Sequence, residues 1–251
     1  MKLLEGKNVV ITGCNRGMGK QMLQLFAQHG ANIWACARKQ TEEFESRCQN
    51  IASENGVEIW PVYFDLSNID EIKAGFKVIM SAKKPVDGLV NNAGITYNAL
   101  FQMTTLDKFQ EVFQINFFGP MIFEQYVAKL MLKNKKGSIV NIASTAGMDP
   151  TPGRTAYGAS KAAVISATQT IARELGEQGV RVNAISPGIT DTDMVAESMT
   201  EAVIQDSVDM TMLKRMGKPL DIANTALFLI SDLSAYITGQ AIRVDGGLGR
   251  K

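Results

Sequence analysis

Residues 8–27 read NVVITGCNRGMGKQMLQLFA, and this stretch decides the fold. Asn8 to Thr12 is a short apolar run of strand type. Gly13, Gly17 and Gly19 follow as a glycine-rich turn, spaced G-x-x-x-G-x-G rather than G-x-G-x-x-G. Met18, Met22, Leu25 and Phe26 then repeat at helical spacing. Strand, glycine turn, helix is the context in which glycines serve a phosphate: small residues leave room for a pyrophosphate, and free amides at the helix N-terminus bind it. The stretch from Gly13 through Asn15, Arg16, Gly17 and Met18 to Gly19 is therefore the expected floor of a dinucleotide site.

Outward from it, strand and helix patterns alternate to the end of the chain. Strands are expected at Asn32–Ala37, Glu58–Phe64, Gly88–Asn91, Gly137–Ile142, Val180–Ile185 and Ala241–Val244. Helices are expected from about Asn68, over Leu106–Lys135, from Tyr157 to about Gln178, and over Pro219–Ile230. This alternation implies an α/β protein with a single-domain Rossmann fold spanning residues 1–251. Its seven-stranded parallel sheet is doubly wound, with helices on both faces and ligands at the strands' C-terminal ends. Residues 187–216 have no clean periodicity and contain Met194, Met199, Met210, Met212 and Met216. They suit a substrate lid or core methionines on short helices.

Several strand ends carry ligand-type residues. The second strand ends in Arg38-Lys39, where an NAD-preferring fold usually has a carboxylate. Arg38 with Arg16 instead suits the 2′-phosphate of NADP (NADPH). Asp65-Leu66 ends the third strand; Asp65 either reaches an adenine or caps the helix from Asn68. Asn92-Ala93-Gly94 follows the fourth, small enough for backbone to approach a ligand, while Asn91 can tie neighbouring strands together. Asn116 falls inside a long helix, where its amide competes for backbone bonds and loosens the turn.

The chemistry points to Ser144–Lys161. On a helix starting near Tyr157, the Tyr157 phenol and the Lys161 ammonium share one face. A phenol ordinarily titrates near pH ~10, and a cation beside it stabilises the phenolate. Ser144 closes the fifth strand and can hydrogen-bond the same reacting oxygen. The set suits proton transfer to or from an alcohol or ketone oxygen. Arg154, three residues before Tyr157, belongs at the pocket mouth, where it either pairs with an anionic substrate or is solvated.

Composition excludes other classes. The 251 residues carry 26 basic and 25 acidic side chains, interspersed, which argues against a nucleic-acid groove. The N-terminus lacks the apolar core of a signal peptide, and no run of ~18 apolar residues could span a membrane. With three cysteines and no CxxC, a reduced cytoplasmic setting is expected. The one histidine, His29, sits where the first helix ends and leaves neither a zinc ligand set nor a Ser-His-Asp triad. No metal is expected.

These motifs together resemble the short-chain dehydrogenases/reductases, over essentially the whole chain. Thr12–Gly19 is similar to that family's cofactor turn, and Asn91-Asn92-Ala93-Gly94 to its sheet-stabilising motif. Asn116, Ser144, Tyr157 and Lys161 match its catalytic tetrad in order and spacing. Pro187-Gly188-Ile189-Thr190 with Thr192 resembles the segment that receives the nicotinamide carboxamide, Thr192 being better spaced for it than Thr190. The resemblance implies Tyr157 as general acid in ketone reduction and Ser144 as holder of the substrate oxygen. It implies that Lys161 lowers the phenol's pKa and holds the nicotinamide ribose, and that Asn116 holds a relay water. Tyr157 and Lys161 are thus cofactor contacts as well, and Ser144, Met148, Arg154 and Met194 are the expected substrate contacts. Residues 236–247 are similar to the 3-oxoacyl-(acyl-carrier-protein) reductases, which implies an NADPH-dependent homotetramer with an acyl carrier protein as partner, docking at Lys129 and Arg173. The same phrase occurs in sugar and polyol dehydrogenases, so a sugar, polyol or sugar-acid dehydrogenase is the alternative. A catalytically silent nucleotide-binding relative is the outside option.

Overall fold

β1 (Asn8–Thr12) is buried along its whole length. Val9 and Ile11 face one core and Val10 the other, which is why its sequence is a continuous apolar run instead of an alternating one. In the computed structural model, which describes residues 2–249, β1 is an interior strand, third in a sheet of seven. The others are β2 (Asn32–Ala37), β3 (Ile59–Tyr63), β4 (Gly88–Asn91), β5 (Gly137–Ile142), β6 (Val180–Pro187) and β7 (Ala241–Val244). Their order is β3-β2-β1-β4-β5-β6-β7, with parallel pairing throughout. The single-domain, doubly wound Rossmann arrangement expected above is the one observed.

The helices are α1 (Gly17–Gln28), α2 (Glu42–Asn55), α3 (Ile69–Ser81), α4 (Leu106–Phe113), α5 (Gly119–Asn134), α6 (Thr155–Gly176), α7 (Asp193–Ser198), α8 (Glu201–Asp209) and α9 (Pro219–Ile230). Apolar residues of α1, α2 and α9 cover one face of the sheet; those of α3, α5 and α6 cover the other. Because the strand order reverses between β1 and β4, the crossovers leave in opposite directions there and open a crevice at the strands' C-terminal ends. Thr12 and Asn92 stitch its floor. Thr12 Oγ1 accepts from the amides of Asn92 (2.9 Å) and Ala93 (3.1 Å), and Asn92 Nδ2 donates to the Thr12 carbonyl (2.9 Å).

Three local expectations change. The helix expected over 106–135 is α4 and α5 joined by a π turn, Gln114–Phe118, with Asn116 at its centre. The Asn116 amide does not compete for its own helix's backbone bonds; it bonds the Ile95 backbone from the middle of the π turn. The cap of α3 is Asn68, whose side chain accepts from the amides of Asp70 and Glu71, so the capping role is not Asp65's. Asp65 Oδ1 instead accepts from Ser67 N (2.8 Å) and Ser67 Oγ (2.7 Å). Residues 187–216 contain the short helices α7 and α8, with Met212 78% and Met210 39% exposed; they do not pack as core methionines.

Asn91 ties β4 to β5 and to α5. Its Nδ2 donates to Asn141 Oδ1 (2.9 Å) and Glu124 Oε2 (3.0 Å), and Asn141 Nδ2 donates to Thr168 Oγ1 (3.1 Å). Glu124 is 1% exposed, and burial pushes its carboxyl up to about 7. Asn91 Oδ1 and Glu124 Oε1 are both buried acceptors without a hydrogen-bond partner, so a protonated Glu124 supplies a donor that the cluster otherwise lacks. The folded state keeps this proton above the pH at which the unfolded chain releases it. Stability is therefore fully present below pH ~4.5 and falls as pH rises toward about 7, by about 3 kcal/mol from this group. Glu124→Gln, neutral at every pH, should flatten that slope in denaturant titrations run between pH ~5 and ~8. An unchanged slope would mean that Glu124 is ionised in the fold.

Candidate active site

Two structural devices bring the reacting side chains together. The first is the start of α6 at Thr155, two residues earlier than expected, which places Tyr157 in the first turn and Lys161 one turn on. The second is the end of β5, from which Ser144 returns over a short 3-10 turn with its Oγ accepting from Ala146 N (3.2 Å). Tyr157, Ser144, Lys161 and Asn116 are all buried, at 8%, 8%, 5% and 2% exposure. The Ser144 hydroxyl lies close enough to the Tyr157 phenol to act on its titration. Asn116 completes the group through the π turn. Its Oδ1 accepts from Ile95 N (2.8 Å), and its Nδ2 donates to Ile95 O (2.9 Å) and Ser160 Oγ (3.1 Å). Ser160, absent from the sequence-level site, donates in turn to the Tyr157 carbonyl (2.7 Å). Only its place before Lys161 could have pointed to it.

The electrostatics differ from expectation. Lys161 Nζ donates to the Ile142 carbonyl (2.8 Å) and lies 6.0 Å from the centroid of the Tyr157 ring. Burial draws the ammonium down to about 8. Burial also pushes the Tyr157 phenol up, against the neighbouring Ser144 hydroxyl and the charge of Arg154, which draw it down. Ser144 and Arg154 thus act on the phenol in the direction expected of Lys161.

A cavity of about 420 Å³ occupies the crevice between β1 and β4. Of the expected cofactor contacts, Gly13, Asn15, Arg16, Gly17, Met18, Arg38, Asp65, Leu66, Asn92, Ala93, Gly94 and Thr192 line it, together with the expected substrate contact Met194. Gly19 stands behind the wall: a Cβ there would sit 2.1 Å from Gly13 O, so this glycine lets the turn close on itself. The N-terminus of α1 has no side-chain cap, which leaves its amides free for an anion. Lys39 and Thr41 line the far end, where the sequence reading stopped at Arg38. The cavity's inner end is Gly94, whose added Cβ would lie 3.5 Å from Lys161 Nζ, so cavity and tetrad adjoin.

The 187–192 segment divides. Thr192 faces the cavity, while Thr190 is 4% exposed and donates to the Gly188 carbonyl (3.1 Å). Pro187 accepts from Thr145 Oγ1 (3.2 Å), and Gly188 presses on Asp245, where a Cβ would be 2.7 Å from its Cβ. Pro187, Gly188, Ile189 and Thr190 are not among the cavity-lining residues. Neither is Met148, which ends the 3-10 turn after Ser144. Arg154 is half-buried, with Nη2 3.3 Å from Met199 Sδ of the 187–216 segment and Cζ 5.6 Å from the Tyr157 ring centroid. It is therefore not a freely solvated loop residue. Arg16 and Arg38 both line the cavity, and Arg16 also pairs with Glu197 of α7 (2.8 Å). Cys14 is fully buried and its thiol is pushed well up by desolvation, so it is inert packing. His29 accepts from Leu3 N through Nδ1 (3.3 Å). Among the described residues no group of three or more His, Cys, Asp or Glu could hold a metal, and no helix is long and apolar enough to cross a membrane.

Comparison with known proteins agrees with this geometry. A family model described as enoyl-(acyl carrier protein) reductase matches residues 13–249. The 3-oxoacyl-(acyl-carrier-protein) reductase FabG of Thermotoga maritima is 39% identical over 247 residues, 98% of each chain. A crystal structure of a 3-oxoacyl-(acyl-carrier protein) reductase from Brucella melitensis with bound NAD is 29% identical. It superposes with a TM-score of 0.90 over 100% of this chain and 94% of that one. A putative NAD(P)-dependent gluconate 5-dehydrogenase from Beutenbergia cavernae, with bound NADP, is 31% identical at a TM-score of 0.92. There the match covers 98% of this chain and 97% of the other.

Proposed function

This chain belongs to the short-chain dehydrogenase/reductase family and is an NAD(P)-dependent oxidoreductase, and we propose that it is an NADPH-dependent reductase of 3-oxoacyl thioesters. The observation that carries this reading is the buried Ser144–Tyr157 hydroxyl pair, with Lys161 one helical turn away, at the inner end of the β1/β4 cavity. Bound there, a nicotinamide supplies the hydride. Tyr157 gives its proton to the ketone oxygen, and Ser144 holds that oxygen in place as charge develops on it. Lys161 offers the charge that favours the phenolate left behind, and Asn116 holds the backbone at Ile95 beside them. The uncapped start of α1 and the close-packed Gly19 suit a pyrophosphate, and Arg38 and Lys39 suit a 2′-phosphate. By likeness to relatives named for the acyl carrier protein we assign its substrate to that carrier, and we propose a cytoplasmic homotetramer as the assembly that the family resemblance implies.

Half-buried Arg154 favours a second reading, a dehydrogenase of sugar acids, since a guanidinium beside the reacting phenol suits a carboxylate. The test is loss of reduced-nicotinamide absorbance with NADPH and NADH, against a short acetoacetyl thioester and a panel of keto-acids and keto-sugars. Turnover of the thioester supports the first reading. Silence there with turnover of a keto-acid replaces it by the second.

Cofactor choice has its own test. Arg38 forms no ion pair among the described residues, so its charge is available to a phosphate. Arg38→Asp should turn the preference from NADPH to NADH, with kcat/KM for NADPH falling about 100-fold. A variant that keeps the wild-type margin would remove Arg38 from the account.

A further inference from the structure

We infer that Arg154 is a second cation of the catalytic centre: lying over the face of the Tyr157 ring, it favours the phenolate and so sets the pH range in which the site can work. The inference rests on the reading of Tyr157 as the acid–base group. It goes beyond that reading by giving a named charge, outside the Asn-Ser-Tyr-Lys set, a direct hold on that group.

The geometry is specific. Arg154 Cζ lies 5.6 Å from the ring centroid, slightly nearer than Lys161 Nζ at 6.0 Å. A cation within about 6 Å of an aromatic face is attracted by the ring's electrons, and ionising the phenol spreads negative charge into that ring. The attraction is therefore stronger for the phenolate than for the phenol, and that difference moves a titration. Arg154 is also held in place. Its backbone amide bonds Thr151 O (3.2 Å), its carbonyl accepts from Gly158 N (2.7 Å) in the first turn of α6, and Gly153 beside it accepts from Ala99 N (2.9 Å). Its side chain rests on the thioether of Met199, a neutral and weak acceptor that does not cancel its charge.

The groups that reach Tyr157 are Lys161 from its own helix, Ser144 from the end of β5 and Arg154 from the loop before α6. Asp149, the acid on that loop, is paired with Arg243 (2.6 Å). Lys161 Nζ is bonded to the Ile142 carbonyl, whereas Arg154 has no carbonyl or carboxylate on its guanidinium among the described residues, and its charge draws the buried phenol down.

The test is a tyrosinate titration of the full chain by rapid pH jump, read as the absorbance difference between each protein and its Tyr157→Phe counterpart. Arg154→Gln should raise the Tyr157 midpoint by about one pH unit, and Arg154→Lys, which keeps the charge, should hold it within about 0.3. In turnover of a neutral ketone, the alkaline limb of reduction should move up by the same amount in Arg154→Gln, because the acid form persists to higher pH. An Arg154→Gln midpoint within about 0.3 of wild type overturns the inference. So does an Arg154→Lys midpoint that moves as far as that of Arg154→Gln. The titration needs no substrate. Chains inactive on every ketone would still give this answer, which separates failure of the inference from failure of the assigned function.

Discussion

Tyr157→Phe is expected to lower kcat by about 10³-fold while leaving cofactor affinity within about twofold. The change removes one oxygen and leaves the ring, which is 8% exposed and packed where α6 begins. The proton donor is lost, yet nothing that lines the cavity around Gly13, Arg38 and Asn92 is touched. Ser144 keeps its bond from the Ala146 amide, so the strand end stays ordered. Single-turnover hydride transfer with saturating NADPH checks this, alongside cofactor titration by fluorescence. A variant within tenfold of wild type would place the acid elsewhere and remove the basis of the proposed mechanism.

The second large effect belongs to Gly19→Ala. An added Cβ would stand 2.1 Å from Gly13 O, 2.6 Å from Asn92 Nδ2 and 2.8 Å from Gly13 C. Two of these atoms are backbone, so relief requires the turn itself to move. That movement takes Gly13 and Asn15 out of the cavity wall and disturbs the Asn92–Thr12 stitch between β1 and β4. We expect NADPH affinity to fall at least ~100-fold, and strain of about 2–3 kcal/mol to lower Tm by roughly 5–10 °C. Gly176→Ala is the control. It ends α6 with nothing within 4 Å of its added Cβ, and should be neutral or slightly stabilising. Equal melting temperatures for the two variants would show that the turn yields without cost.

Most of the fold was legible because its signals are local. A strand buried on both faces is a continuous apolar run, and a helix start beside a ligand asks for glycine; both are written into residues 8–27. The spacing of Tyr157 and Lys161 was equally local, since one helical turn separates them wherever the helix lies. Signals weakened where two local readings competed. Asp65 and Asn68 are both good caps, and only the observed start of α3 gives the role to Asn68.

The sequence by itself determined the alternation of elements, hence the parallel sheet and the crevice at its switch point, and the residue types that chemistry there requires. Only the tertiary structure decided what faces what. It joins Arg16 to Glu197 across 181 positions, turns Lys161 to the Ile142 carbonyl, and ties Asn116 to Ile95. It also buries Glu124 among Asn91 and Asn141, and lays Arg154 over Tyr157. The physical reason is one of range. Periodicity and turn chemistry act over one or two turns of chain, whereas a charge or an amide takes whatever partner packing brings within a few ångströms, from any distance in sequence.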